Sequence, residues 1–95
     1  MNETDKKLCE IFRRILLSDN IELRDMVVTY IAIIDYIEAV DILSEYINTE
    51  SLAWLREYTS KVIEHLEKLR DGFPSNPPLL SEMEDTTIGI KKKRK

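Results

Sequence analysis

The chain has 95 residues, of which 43% are hydrophobic and 34% charged, and its formal net charge is −4. That length makes one domain near the lower end of what a single core stabilises, and no apolar run approaches the roughly 18 residues of a membrane span. One cysteine, Cys9, excludes an internal disulfide and makes a reducing compartment the default, while a single histidine, His65, excludes a multi-histidine metal site within one chain.

Only two glycines and three prolines are present, and four of these five are Gly72, Pro74, Pro77 and Pro78. The residues before 72 therefore lack chain breakers, as expected of a helical protein. Residues 1–7 run directly into an amphipathic pattern and do not resemble a signal peptide. The expected location is the cytoplasm, or the nucleus in a eukaryotic or viral setting. The absence of glutamine beside many isoleucines, lysines and glutamates leans towards a thermophile. Charge is unevenly spread. Residues 91–95 hold five bases and no acid, which leaves nine Lys and Arg against eighteen Asp and Glu in the rest. An acidic body with a basic tip argues against a nucleic-acid surface spread over the domain, but allows one at the tip.

Leu8, Ile11, Phe12, Ile15 and Leu16 recur at helical spacing and predict a first helix of about 15 residues, ending around Ser18 to Asn20. Asp19 with Glu22 three residues on has the spacing of a capping box and predicts the next start. A second helix is expected over residues 20–47, about 40 Å long at 1.5 Å per residue. It places Leu23, Met26, Val27, Tyr30, Ile33, Ile34 and Ile37 on one face. The β-branched density of residues 27–34 permits a strand, but helical spacing continues on both sides without a turn residue. Asn48 and Thr49 are the expected next break and cap. Leu52, Leu55, Thr59, Val62, Leu66, Leu69 and Phe73 then predict a third helix of about 23 residues, stopped by Gly72 and Pro74. The expected fold is all-α: an antiparallel three-helix bundle in residues 1–73, with a short first helix, followed by an extended or disordered tail over residues 74–95.

In such a bundle the short first helix cannot cover the far end of the other two, roughly residues 35–58. That end carries Tyr36, Val40, Leu43, Tyr46, Ile47, Leu52, Trp54, Leu55 and Tyr58. Two helices bury one face each against the other, so part of this apolar set is expected to be covered by another protein chain or by a second copy. Trp54, Tyr58 and His65 are expected on one shoulder of the third helix beside Lys61 and Lys68, a composition suited to a protein interface or to stacking on single-stranded nucleic acid. In the tail, Leu79 and Leu80, with Met83, Ile88 and Ile90, are apolar residues among acids, the pattern of a segment that orders on a partner.

Catalytic readings fare less well. Glu38, Asp41 and Glu45 share one helix face, and Glu64 and Glu67 form a second pair. The ExxD and ExxE spacings resemble those of all-helical nucleotide pyrophosphohydrolases, which would imply a Mg²⁺ site. Here the pairs stand in the opposite chain order and a four-helix site is lacking, so they are read as solvated acidic faces. Cys9 is read as a small core residue and His65 as structural, with no histidine-containing triad expected. Glycines at 72 and 89 alone do not build a phosphate loop. Lys91, Lys92, Lys93, Arg94 and Lys95 can contact a nucleic-acid backbone, resemble a nuclear-localisation signal, or act only as a solubilising end.

The function expected from these features is a non-enzymatic accessory or adaptor subunit. It would bind a larger protein through its helical hairpin and tail, within a replication or transcription assembly. The alternatives are a helical homodimer and a direct nucleic-acid binder acting through the basic tip. No cofactor, metal, membrane or small-molecule substrate is expected.

Overall fold

The computed structural model describes residues 2–79; the expected tail beyond Leu79 lies outside the described residues. Every regular element within them is helical. Helix α1 (Glu3–Leu16) is capped by Asn2, whose side chain accepts from the Asp5 amide at 2.7 Å. Acids occupy its first turn and Arg13 and Arg14 its last, as the helix dipole favours. Its apolar stripe buries Phe12 and Leu16 as the spacing predicts, with Cys9 from its edge, but Ile11 of the same expected stripe is half exposed.

Helix α2 (Ile21–Ile33) is capped one residue later than the Asp19 spacing indicated, by Asn20, which accepts from the Leu23 amide at 3.1 Å. It does not continue to residue 47. Asp35 takes φ +54°, the Asp35 amide donates to Ala32 O and the Tyr36 amide to Ile31 O. These two bonds are a Schellman turn with an aspartate at its left-handed position. A 3₁₀ turn (Ile37–Ala39) then leads into α3 (Val40–Tyr46). Tyr36 fixes the bend from outside, because its hydroxyl donates to Asp5 Oδ1 at 2.5 Å.

Helix α4 (Ala53–Arg70) also starts later than expected. Thr49 donates its hydroxyl to Tyr46 O instead of capping α4, and the Leu52 amide donates to the Glu50 carboxylate at 3.0 Å. The far end follows the sequence. Gly72, at φ +89°, donates to Leu69 O and Phe73 to Lys68 O, a second Schellman turn.

The expected three-helix bundle is thus four α-helices closed into a ring. Helix α1 packs on α2 and α3, and α4 packs on the same two from the other side. The bend after Ile33 shortens the second helix and turns α3 back between α1 and α4. No bare hairpin results. Val40, Ile42, Leu43 and Tyr46 of α3 are buried, as are Leu55, Tyr58, Val62 and Leu66 of α4. No helix of the described residues is long and apolar enough to cross a membrane.

Candidate protein-interaction surface

The apolar surplus expected on the hairpin tip lies instead on α2. Val27, Val28, Ile31 and Ala32 form its core face. At 100° per residue, Leu23, Met26, Tyr30 and Ile33 fall within about 80° of one another, on the side turned away from Val28 and Ile31. These four, with Ile34 and with Ile11 of α1, are 41–63% exposed. Helix α2 thus carries two apolar faces, of which only one is enclosed.

The flanks of the strip follow from how α1 and α2 are clamped. On α1, Cys9 Sγ faces Glu38 O and Arg13 pairs with Glu45, so that flank is turned to α3. Ile11 lies about 160° round from Arg13 and so borders α2. The ring of Phe12 meets Tyr30 edge-on, centroids 6.2 Å apart, which joins Ile11's flank to the α2 strip. Beyond Ile11 on α1 stands the exposed Arg14, whereas Lys7 lines the groove that α1 shares with α3, beside Glu10, Glu38 and Asp41; beside Ile33 on α2 stands the exposed Glu22. The strip is therefore flanked by a base at its α1 edge and an acid at its α2 edge.

A buried ionic node fixes α2 in this pose. Arg24 donates to Glu50 through Nε at 2.8 Å and Nη2 at 3.1 Å, and through Nη1 to Ser18 O at 2.8 Å. Glu50 is 4% exposed, yet it also accepts from the Tyr46 hydroxyl and the Leu52 amide, while its carbonyl accepts from Arg56. Burial alone pushes the Glu50 carboxyl up, but the Arg24, Tyr46 and Leu52 donors outweigh it and hold it below the ordinary range. The Tyr46 hydroxyl is pushed well up by burial and by its bond to that carboxylate. The Arg24–Glu50 pair thus ties the α1–α2 turn, α2, α3 and the start of α4 together.

His65 forms a second node. It is 3% exposed, with Nε2 2.7 Å from Asp35 Oδ1 and Nδ1 2.7 Å from Ser75 Oγ. Nε2–H donates to the Asp35 carboxylate, and Nδ1 pairs with the Ser75 hydroxyl. The three side chains stand in the order of a serine–histidine–aspartate relay, but with serine on Nδ1 and aspartate on Nε2, the reverse of the catalytic arrangement. Burial is inverted as well, because the imidazole is enclosed while the Asp35 side chain is half exposed. With no ring edge open to a leaving group, the three residues serve as a latch. Together with the Tyr58 hydroxyl, which donates to Pro78 O at 3.4 Å, they hold residues 73–79 back along α4.

Of the interface residues expected from sequence, Val40, Leu43, Tyr46 and Tyr58 belong to the core, because α3 folds in against α1 and α4. Tyr36 and Ile47 are half-buried, Trp54 and Leu79 exposed. Trp54 is separated from Tyr58 and His65, both buried, so the expected aromatic shoulder is split. Leu80, Lys91, Lys92, Lys93, Arg94 and Lys95 lie outside the described residues. Among the described residues, no three His, Cys, Asp or Glu side chains converge as metal ligands. The Cys9 thiol is pushed up by burial, the state of an inert core cysteine.

Leu23, Met26, Tyr30, Ile33 and Ile34 share one helical face in the sequence but were not among the expected interface residues. The signal that α2 carries two apolar faces was present in Val28, Ile31 and Ala32. No protein-family model, curated protein or solved structure matches the chain.

Proposed function

We propose that this chain is a non-enzymatic interaction module, an accessory subunit that docks another protein chain on the apolar face of α1 and α2. The observation that carries the reading is the contiguous exposure of Ile11, Leu23, Met26, Tyr30, Ile33 and Ile34. At on the order of 100 Å² for each large side chain so exposed, the face presents roughly 600 Å², the upper end of what monomers show without a partner. At about 25 cal/mol per Å², leaving it in water forgoes on the order of 10 kcal/mol, comparable with the whole stability of a small domain. The rigid nodes at Glu50 and His65 suit such a role, since a preorganised face loses less entropy on binding.

The basic cluster at residues 91–95 supports a second contact, made to nucleic acid, and with it an assembly that handles nucleic acid as the setting.

The test is a photo-crosslinking amino acid at position 30 in the native host, compared with one at Glu57 on the polar face of α4. Position 30 is expected to capture a polypeptide and position 57 none. Equal labelling at both, or none at either, would sink the docking reading. Removal of residues 80–95 is expected to lower retention on nucleic acid while leaving the position-30 crosslink intact.

A further inference from the structure

Resting on the reading that the α1–α2 face is a docking surface, we infer that the chain seated on it is a second copy of this protein, paired about a two-fold axis running along α2. Area is the first argument. Two faces of roughly 600 Å² bury about 1,200 Å² together, the lower bound of specific, stable interfaces. Shape is the second. The exposed strip is one helix face wide and bordered by Ile11, so α2 lies against its symmetry mate with Met26, Tyr30 and Ile33 interleaved at the contact.

Charge decides the direction of the axis. The strip has Arg14 along its α1 edge and Glu22 along its α2 edge. A two-fold axis along α2 exchanges left and right edges and keeps height along the helix unchanged. Each copy's basic edge then faces the other's acidic edge. A two-fold across α2 would set base against base, so complementarity selects the parallel arrangement. Height agrees. The short turn at residues 17–20 makes α1 and α2 antiparallel neighbours and puts Arg14, near the end of α1, level with Glu22 in the first turn of α2. Arg14 of one copy therefore faces Glu22 of the other. The net charge of −4 per copy opposes this only weakly, because exposed charges more than about 8 Å apart are screened at physiological ionic strength.

The experiment is sedimentation equilibrium of the full chain from about 1 to 200 µM, with circular dichroism to check that each variant is folded. Wild type is expected to be a dimer, and Tyr30→Asp a folded monomer. Arg14→Glu and Glu22→Arg are each expected to raise the dimer Kd at least about tenfold, and the two together to restore it to within about threefold. A wild-type monomer throughout overturns the pairing. If that monomer binds a hydrophobic dye and Met26→Lys abolishes the binding, the docking reading survives with a different partner; if it binds none, both readings fall. A dimer indifferent to Tyr30→Asp is not built on this face. One broken by Tyr30→Asp but not restored by the double charge exchange is not parallel.

Discussion

The carboxylate of Asp35 lies 2.7 Å from His65 Nε2, so the residue that ends α2 in a left-handed turn is tied to the middle of α4. Aspartate tolerates the left-handed region better than most residues, but less well than glycine. The histidine contact offsets that cost and makes the bend specific to this tertiary arrangement. Replacing Asp35 by glycine removes backbone strain and loses the contact, whereas alanine keeps the strain and loses the contact. Asp35→Ala is therefore expected to be less stable than Asp35→Gly by about 1 kcal/mol, read from urea midpoints. Equal midpoints would mean that the turn is not left-handed in solution.

Breaking the node at Glu50 is expected to be the most damaging polar substitution. Glu50→Ala leaves the largely buried Arg24 guanidinium without its carboxylate and should cost about 3–5 kcal/mol. The double variant Arg24→Met with Glu50→Leu removes both charges and should be more stable than Glu50→Ala alone. Chemical denaturation of the three proteins decides this; a double variant at or below the single one would show that the pair is itself strongly stabilising.

Stability should fall at both ends of the pH range for two separate reasons. The Glu50 carboxyl is held below its usual value of 4.5, so the unfolded chain binds its proton first as pH drops. Its contribution is complete above about pH 4.5 and is lost as pH falls through the depressed native value. The Tyr46 hydroxyl is raised above its usual 10.0, so its contribution is present below pH 10 and is lost at higher pH. Thermal melts of wild type and Glu50→Gln should diverge near neutrality and converge towards acid. Curves separated by the same interval at every pH would contradict the Glu50 assignment.

Neighbouring apolar residues of α2 should respond in opposite ways. Ile31→Ala removes a fully buried side chain and should cost about 2–5 kcal/mol. Met26→Lys and Ile33→Lys, on the exposed strip, should shift monomer stability by no more than about 0.5 kcal/mol while improving solubility. Measured in the Tyr30→Asp background, where the chain is monomeric, a large loss for the lysine variants would place those side chains in the core after all.

The all-helical class and the boundaries with local signals were legible in the sequence. The α1 stripe of Leu8, Ile11, Phe12, Ile15 and Leu16 is a period that needs no partner to be recognised, although Ile11 lies at its exposed border, and Gly72 before Pro74 marks the end of α4 by backbone chemistry alone. The same turn at Asp35 was not legible, although its two hydrogen bonds match those at Gly72. Aspartate signals such a turn far more weakly than glycine, and its carboxylate contact with His65, thirty residues away, is invisible to local sequence. From that bend the rest follows. It brings α3 into the core, buries Val40, Leu43, Tyr46 and Tyr58, and leaves Met26, Tyr30 and Ile33 facing outwards. Local periodicity determined which residues share a helix face. Which of α2's two apolar faces is buried was decided by tertiary structure, because hydrophobicity is non-directional and the choice rests on long-range contacts at His65 and Glu50.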